Sequence, residues 1–134
     1  MERPEKKDFE LIIELMERDA RLKMKVGISK VSASINKLFL MTSKNELILE
    51  FNSSEKEIIV KQILIYNQRK GIGTYIINFL KKYMKQKGYT KLTLLHAQYY
   101  DMKCFAEKLG FEDAYTDDFR YEYVIEEDKL EDAS

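Results

Sequence analysis

The stretch from Glu57 to Gly88 constrains the fold more than any other. Residues 57–66 are mostly apolar and rich in β-branched side chains, the composition of a buried strand. Residues 67–74, Asn-Gln-Arg-Lys-Gly-Ile-Gly-Thr, form a short polar turn with two glycines. Beyond it Ile72, Tyr75, Ile76, Phe79, Leu80, Tyr83 and Met84 recur at the spacing of one helix face. Gly88 stands where a left-handed residue would end that helix. A strand, a glycine turn and a helix start aim several backbone N–H groups at one point, beside the positive end of a helix dipole. Such a point binds phosphate.

The ligand class narrows by spacing. A nucleotide P-loop needs Gly-Lys followed by Ser or Thr after four spacer residues, and that is missing. The dinucleotide fingerprint needs a third glycine where this chain has Ile76. The order Gln68-x-x-Gly71-x-Gly73 at a strand end resembles the coenzyme A motif of the GNAT superfamily of acyltransferases. The segment Phe105-Ala106-Glu107-Lys108-Leu109-Gly110-Phe111 is similar to that superfamily's Phe-Tyr-x-x-x-Gly-Phe helix end. The resemblance covers roughly residues 38–125.

The resemblance implies a GNAT-like α/β fold: a mixed, mainly antiparallel sheet with helices on both faces. It implies an N-acetyltransferase that moves acetyl from acetyl-CoA to a primary amine by direct transfer. The pyrophosphate of coenzyme A would rest on backbone N–H groups of Arg69, Lys70, Gly71, Ile72, Gly73 and Thr74. Backbone around Lys61 to Ile63 would pair with the pantetheine arm as an extra strand does. Glu57, eleven residues before Gln68, is similar to the glutamate that serves as base in the histone acetyltransferase branch. Its plainer reading is a solvated residue at a strand start. The superfamily's usual acid, the Tyr after Phe, is Ala106 here, so Tyr99, Tyr100, Cys104 or water would stand in. Tyr99 occupies a place where many members carry Asn; packing is the commoner use of such a tyrosine. The departure at Ala106 keeps a second class open, a binding or regulatory module that retains the fold without turnover.

Composition bounds the rest. A chain of 134 residues with 45% apolar content suits one domain with one core. Lys plus Arg and Asp plus Glu number 23 each, so the formal net charge is zero, which disfavours a general nucleic-acid binder. A basic cluster at Lys81, Lys82, Lys85, Lys87 and Lys91 has three readings: a solvated helix face, attraction of the adenosine 3′-phosphate, or nucleic acid. The single cysteine, Cys104, excludes an internal disulfide and suits a reducing cytoplasm; on a helix face it reads as a buried small hydrophobe. No signal peptide and no membrane-spanning run are visible, so no membrane partner is expected. The lone His96, at a strand end, has no second histidine beside it, and no metal site is expected. The acceptor reads as a small-molecule or peptide amine, and the chain as monomer or homodimer.

Along the chain, residues 1–37 form a variable N-terminal region with an amphipathic helix over 5–25. Residues 26–35 alternate in two phases, as a bulged strand or a loop does. Residues 37–41 and 46–51 read as a hairpin, 91–96 as a strand and 102–109 as a short helix. Residues 111–116 and 119–125 would close the sheet as a second hairpin, and 126–134 would be a frayed acidic tail.

Overall fold

The computed structural model describes residues 3–67, 70–96 and 100–125, the side chain of Tyr100 excepted. The chain opens with a 3₁₀ turn, Lys6–Phe9, and helix α1, Glu10–Ala20. Four strands follow: β1 Lys25–Lys30, β2 Ile35–Met41, β3 Glu46–Asn52 and β4 Glu57–Leu64. Then come α2 Ile72–Lys87, β5 Lys91–Leu94, α3 Tyr100–Lys108, β6 Glu112–Asp113 and β7 Tyr121–Val124. They build one seven-stranded sheet in the order β1-β2-β3-β4-β5-β7-β6. Only β4 and β5 run parallel, because α2 carries the chain back between them; the other pairs are antiparallel.

The mixed, mainly antiparallel sheet is the expected one. The placement of helices on both faces is not what the described residues show. Paired residues share a face, so Phe51, Ile58, Leu92 and Tyr123 form one row across the sheet. Phe51 meets the rings of Phe9, before α1, and Tyr83, on α2. At the other end of that row Tyr123 meets Phe111, and Lys81 of α2 lies over it. In the neighbouring row Tyr121 reaches Glu107 of α3. All three helices therefore cover the same face. The sequence shows only that each helix has an apolar stripe; the side it lands on is decided by the crossovers.

The other face carries Glu50, Ile59, Thr93 and Glu122 in one row, and Asn52, Glu57, Lys91 and Val124 in the next. Among the described residues no helix covers it. Ion pairs cross it instead, Lys61 to Glu50 and Lys91 to Glu122, both at 3.4 Å. The connection from β1 to β2 is the four residues 31–34, tied by Val31 and Ser32 N–H groups to the Ile35 carbonyl. The doubtful stretch 26–35 is thus a regular strand followed by a tight turn.

The core is one cluster on the helical side. Its centre is aromatic: Phe9, Phe51, Tyr83 and Tyr89, with ring centroids 5.1–6.3 Å apart. Gly88, at φ 85°, ends α2 with a left-handed cap. The second hairpin is shorter than its sequence pattern, two residues of β6 against four of β7. Phe51→Ala would leave a cavity facing three rings. We expect a loss of about 3–5 kcal/mol, read as a lower denaturant midpoint with unchanged slope.

Candidate coenzyme A cleft

The geometry begins with an irregularity in β4. Leu49 pairs with Val60, but the next residue along β3, Ile48, pairs with Gln62. Lys61 is the extra residue of a β-bulge, which bends the strand and increases its twist. The parallel ladder to β5 stops at the same point. Val60 pairs with Leu94, the Val60 carbonyl accepts the Leu95 N–H at 3.2 Å, and there the register ends. Residues 61–64 of β4 continue against β3 alone. Two parallel strands thus separate past Val60, and the side of β4 that faced β5 is left for another partner.

The cleft lies beyond that separation, about 450 Å³ in volume, a size that suits an organic ligand. Its floor comes from β4 and the residues after it, Ile63, Ile65 and Asn67. One wall is the start of α2, Gly71 to Thr74; the other is α3, through Asp101, Met102 and Phe105. Gly71 has φ 77°, a conformation that glycine adopts without strain, and a Cβ placed there would meet nothing within 4 Å. The backbone is therefore open to a ligand at Gly71. Gly73 serves packing instead: a Cβ there would lie 3.3 Å from the Phe105 ring.

The start of α2 is electrostatically bare. Among the described residues no side chain caps it, and its first turn has no acidic residue. The first backbone bond into the helix is Tyr75 N–H to the Gly71 carbonyl, 2.9 Å. The N–H groups of Ile72, Gly73 and Thr74 have no intrahelical acceptor. They sit at the positive end of a 16-residue helix, an arrangement that favours an anion.

A buried polar junction fixes the entrance. Asn45, 1% exposed, donates from Nδ2 to the Met16 carbonyl at 3.0 Å and to Asp19 Oδ2 at 3.2 Å. Its Oδ1 accepts the Tyr66 N–H at 2.5 Å. Asn67 donates from Nδ2 to Asp19 Oδ1 at 2.7 Å and to the Asp19 carbonyl at 3.2 Å. The exit of β4 is thereby bonded to the end of α1 and to the β2–β3 hairpin. Sequence reading placed Asn45 in a turn and missed this role; a buried amide among turn residues has no periodic signature.

Of the residues singled out beforehand, the cleft brings together Ile63, Gly71, Ile72, Gly73 and Thr74. Lys70 precedes Gly71 and is exposed. The Lys61 side chain turns to Glu50. Arg69 and Tyr99 lie outside the described residues, as does the tail 126–134. Ile65, Asn67, Asp101, Met102 and Phe105 are lining residues that the motif did not reveal. The apolar face of α3 contained Met102 and Phe105 as core candidates.

Glu57 is not a solvated strand start. It is 7% exposed and projects to the face without helices. Its Oε2 accepts the Thr93 hydroxyl at 2.6 Å and Arg120 Nη1 at 3.4 Å. It lies three residues before Val60, about 10 Å along the strand, so the carboxylate and the α2 cradle flank the separation from opposite faces. His96 is two residues past β5, exposed, with φ 61°. Ala106 is fully buried and offers no hydroxyl. Cys104 is exposed rather than buried.

Two lysines of the basic cluster are committed elsewhere. The Lys81 ammonium donates to the Leu109 carbonyl and lies 4.3 Å from the Tyr123 ring centre. Burial, and then the Lys85 charge, lower its pKa. Lys91 pairs with Glu122. Among the described residues no group of three or more His, Cys, Asp and Glu is placed to hold a metal ion, and no helix is long and apolar enough to cross a membrane.

The fold is that of solved acetyltransferase structures. The chain has the GNAT fold. It superposes on the PaiA N-acetyltransferase of Thermoplasma acidophilum, solved with coenzyme A, with TM-score 0.56, 21% identity, and coverage of 86% of this chain and 69% of that one. Tetrahymena GCN5 gives TM-score 0.52 at 16% identity, over 72% of this chain and 71% of that one. The anti-CRISPR protein AcrVA5 gives 0.52 at 18% identity, over 65% of this chain and 97% of that one. No protein-family model matches the sequence, and no curated protein matches it. At these identities the likeness is one of fold.

Two substitutions probe the cleft. Gly71→Glu adds a carboxylate beside the α2 N-terminus with room for the side chain but with left-handed backbone strain of about 1–2 kcal/mol; the protein should fold with that loss of stability while coenzyme A affinity falls about tenfold or more, over 1.4 kcal/mol, by calorimetry. Asn45→Ala should cost about 1–3 kcal/mol of stability, since Tyr66 N–H loses its acceptor, and should weaken coenzyme A binding as the β4 exit loosens.

Proposed function

We propose that this protein is an acetyl-CoA-dependent N-acetyltransferase acting on a primary amine. The observation that carries the reading is the uncapped α2 N-terminus, facing a cleft that opens where β4 and β5 part. The residues fit coenzyme A: among the described residues, three N–H groups without a partner for a diphosphate, Gly71 open to its approach, and a strand edge at 61–64 without a neighbour for an amide-bearing arm. Coenzyme A supplies a thioester, whose thiol, near pKa ~8.5, leaves more readily than an amine near ~10.4.

The chain's own tasks are then few. The N–H groups of Ile72, Gly73 and Thr74 hold the diphosphate. The β4 edge aligns the arm so that its reacting end reaches the separation past Val60. A main-chain N–H at the bulge supports the developing oxyanion. Glu57, on the far face, takes a proton from the acceptor ammonium through water, freeing the nitrogen lone pair. The C–N bond forms as the C–S bond breaks, the thiolate leaves with the electron pair, and the second nitrogen proton passes through water to that thiolate, giving the amide and the free thiol. Holding donor and amine together supplies much of the rate, so no covalent enzyme intermediate is required.

A second reading is a module that binds coenzyme A without turnover. Ala106 favours it, because the hydroxyl that would protonate the thiolate is missing. Thermal melting with acetyl-CoA, followed by thiol release across a panel of peptide and small amines, separates the two. Saturating acetyl-CoA, at about 100 times its Kd, should add about 2.7 kcal/mol of stability. Turnover should then appear with at least one amine and fall about 100-fold in Glu57→Gln, the span of one general base. Stabilisation with no thiol release from any amine would favour the second reading; no stabilisation would overturn both.

A further inference from the structure

We infer that Arg120 is a positioning residue for Glu57, an inference that rests on the transferase reading above. The two side chains are 63 positions apart in sequence and meet on the face opposite the helices. Arg120 Nη1 lies 3.4 Å from Glu57 Oε2, and Nη2 lies 3.4 Å from Asp118 Oδ2. The planar guanidinium is thus stretched between two carboxylates, a geometry a lysine does not reproduce. Thr93 supplies the second donor to Glu57, also to Oε2. Among the described residues Oε1 accepts no hydrogen bond, so one oxygen is fixed and the other is left for a proton from outside.

The segment that presents Arg120 is over-determined. Residues 114–119, between β6 and β7, hold Tyr115 at φ 55° and Phe119 at φ 52°. Left-handed residues other than glycine are strained and persist where surrounding bonds dictate them. Those bonds are here. Ala114 N–H donates to the Arg120 carbonyl at 3.0 Å, and Arg120 N–H to Thr116 Oγ1 at 3.2 Å. The Thr116 hydroxyl donates to Asp118 Oδ1 at 2.5 Å. His96 N–H, itself on a left-handed residue just past β5, donates to the Asp118 carbonyl at 3.0 Å. The Thr116 hydroxyl, followed by the Arg120 charge, holds the Asp118 carboxyl below its ordinary pKa, so Asp118 stays a counter-ion to Arg120.

Two lysines on this face are already occupied. Lys91, level with Glu57 on β5, pairs with Glu122, and Lys61 pairs with Glu50. Among the described residues Arg120 is the cation on Glu57. An acid buried at this depth would otherwise turn toward solvent. The clamp keeps it at the start of the separation, on the face from which an amine meets a thioester held in the cleft.

A double-mutant cycle tests this, using steady-state kinetics with acetyl-CoA and the best amine of the panel. Arg120→Gln should lower kcat about tenfold or more and leave the KM for acetyl-CoA unchanged. Arg120→Lys should recover part of the loss. In the Glu57→Gln background, Arg120→Gln should have little further effect, since it acts through Glu57. Losses that multiply would overturn the inference and leave the transferase reading intact. Full activity in Glu57→Gln would overturn the role of Glu57 and this inference with it. Absence of wild-type turnover would overturn the transferase reading itself. If Arg120→Gln fails to fold, Thr93→Val removes the other donor and must show the same sub-additivity with Glu57→Gln.

Discussion

Everything in this molecule that resembles a site follows from a ladder that stops. β4 and β5 pair for four residues, and then one inserted residue, Lys61, turns β4 away. Main-chain groups in a sheet interior are expensive to leave unpaired. A sheet that opens at its centre therefore needs a ligand or water to complete it. The opening is wedge-shaped because the strands are still bonded at one end. Its width at any point is set by distance from Val60, so a slender chain can enter where a bulky one cannot.

The three helices hold the wedge in shape from one side. α2 starts at the wedge and ends at Gly88, where the chain turns directly into β5. α3 is packed against the start of α2 through Phe105, close enough that a Cβ on Gly73 would press on the ring. Lys81 fastens the middle of α2 to the end of α3 through the Leu109 carbonyl. The cradle is therefore rigid for ordinary reasons of packing, and its electrostatics come from a helix end that no side chain satisfies. Catalytic groups need not crowd into such a site, since most of what it supplies is placement.

The sequence displayed the local half of this plan. Alternating β-branched residues, a glycine pair and a 3.6-residue apolar stripe name their own structures, and β4 and α2 lie where those signals put them. The core strand Leu92–Leu94 and the stop at Gly88 were equally plain. What the sequence did not display is relational. Which sheet face a helix covers depends on crossover handedness, so the one-sided arrangement was not visible from amphipathic stripes. A bulge adds a residue without altering composition, so Lys61 looked like any strand lysine. The plainer reading of Glu57, a solvated strand start, misses its partners, Thr93 on β5 and Arg120 just before β7, because they come from far along the chain. The Asn45 and Asp19 junction is of the same kind, polar residues whose burial follows from tertiary packing.

That junction ties together parts of the chain that sequence treats as separate. The end of the first helix, a hairpin tip and the last residues before the glycine turn share a single knot of amide and carboxylate groups. The opening segment is thus a brace for the residues that leave β4 as well as a cover for the sheet. Shortening or replacing it would be felt at the start of α2, well downstream of the hairpin, and a ligand held there would in turn stiffen the chain's beginning.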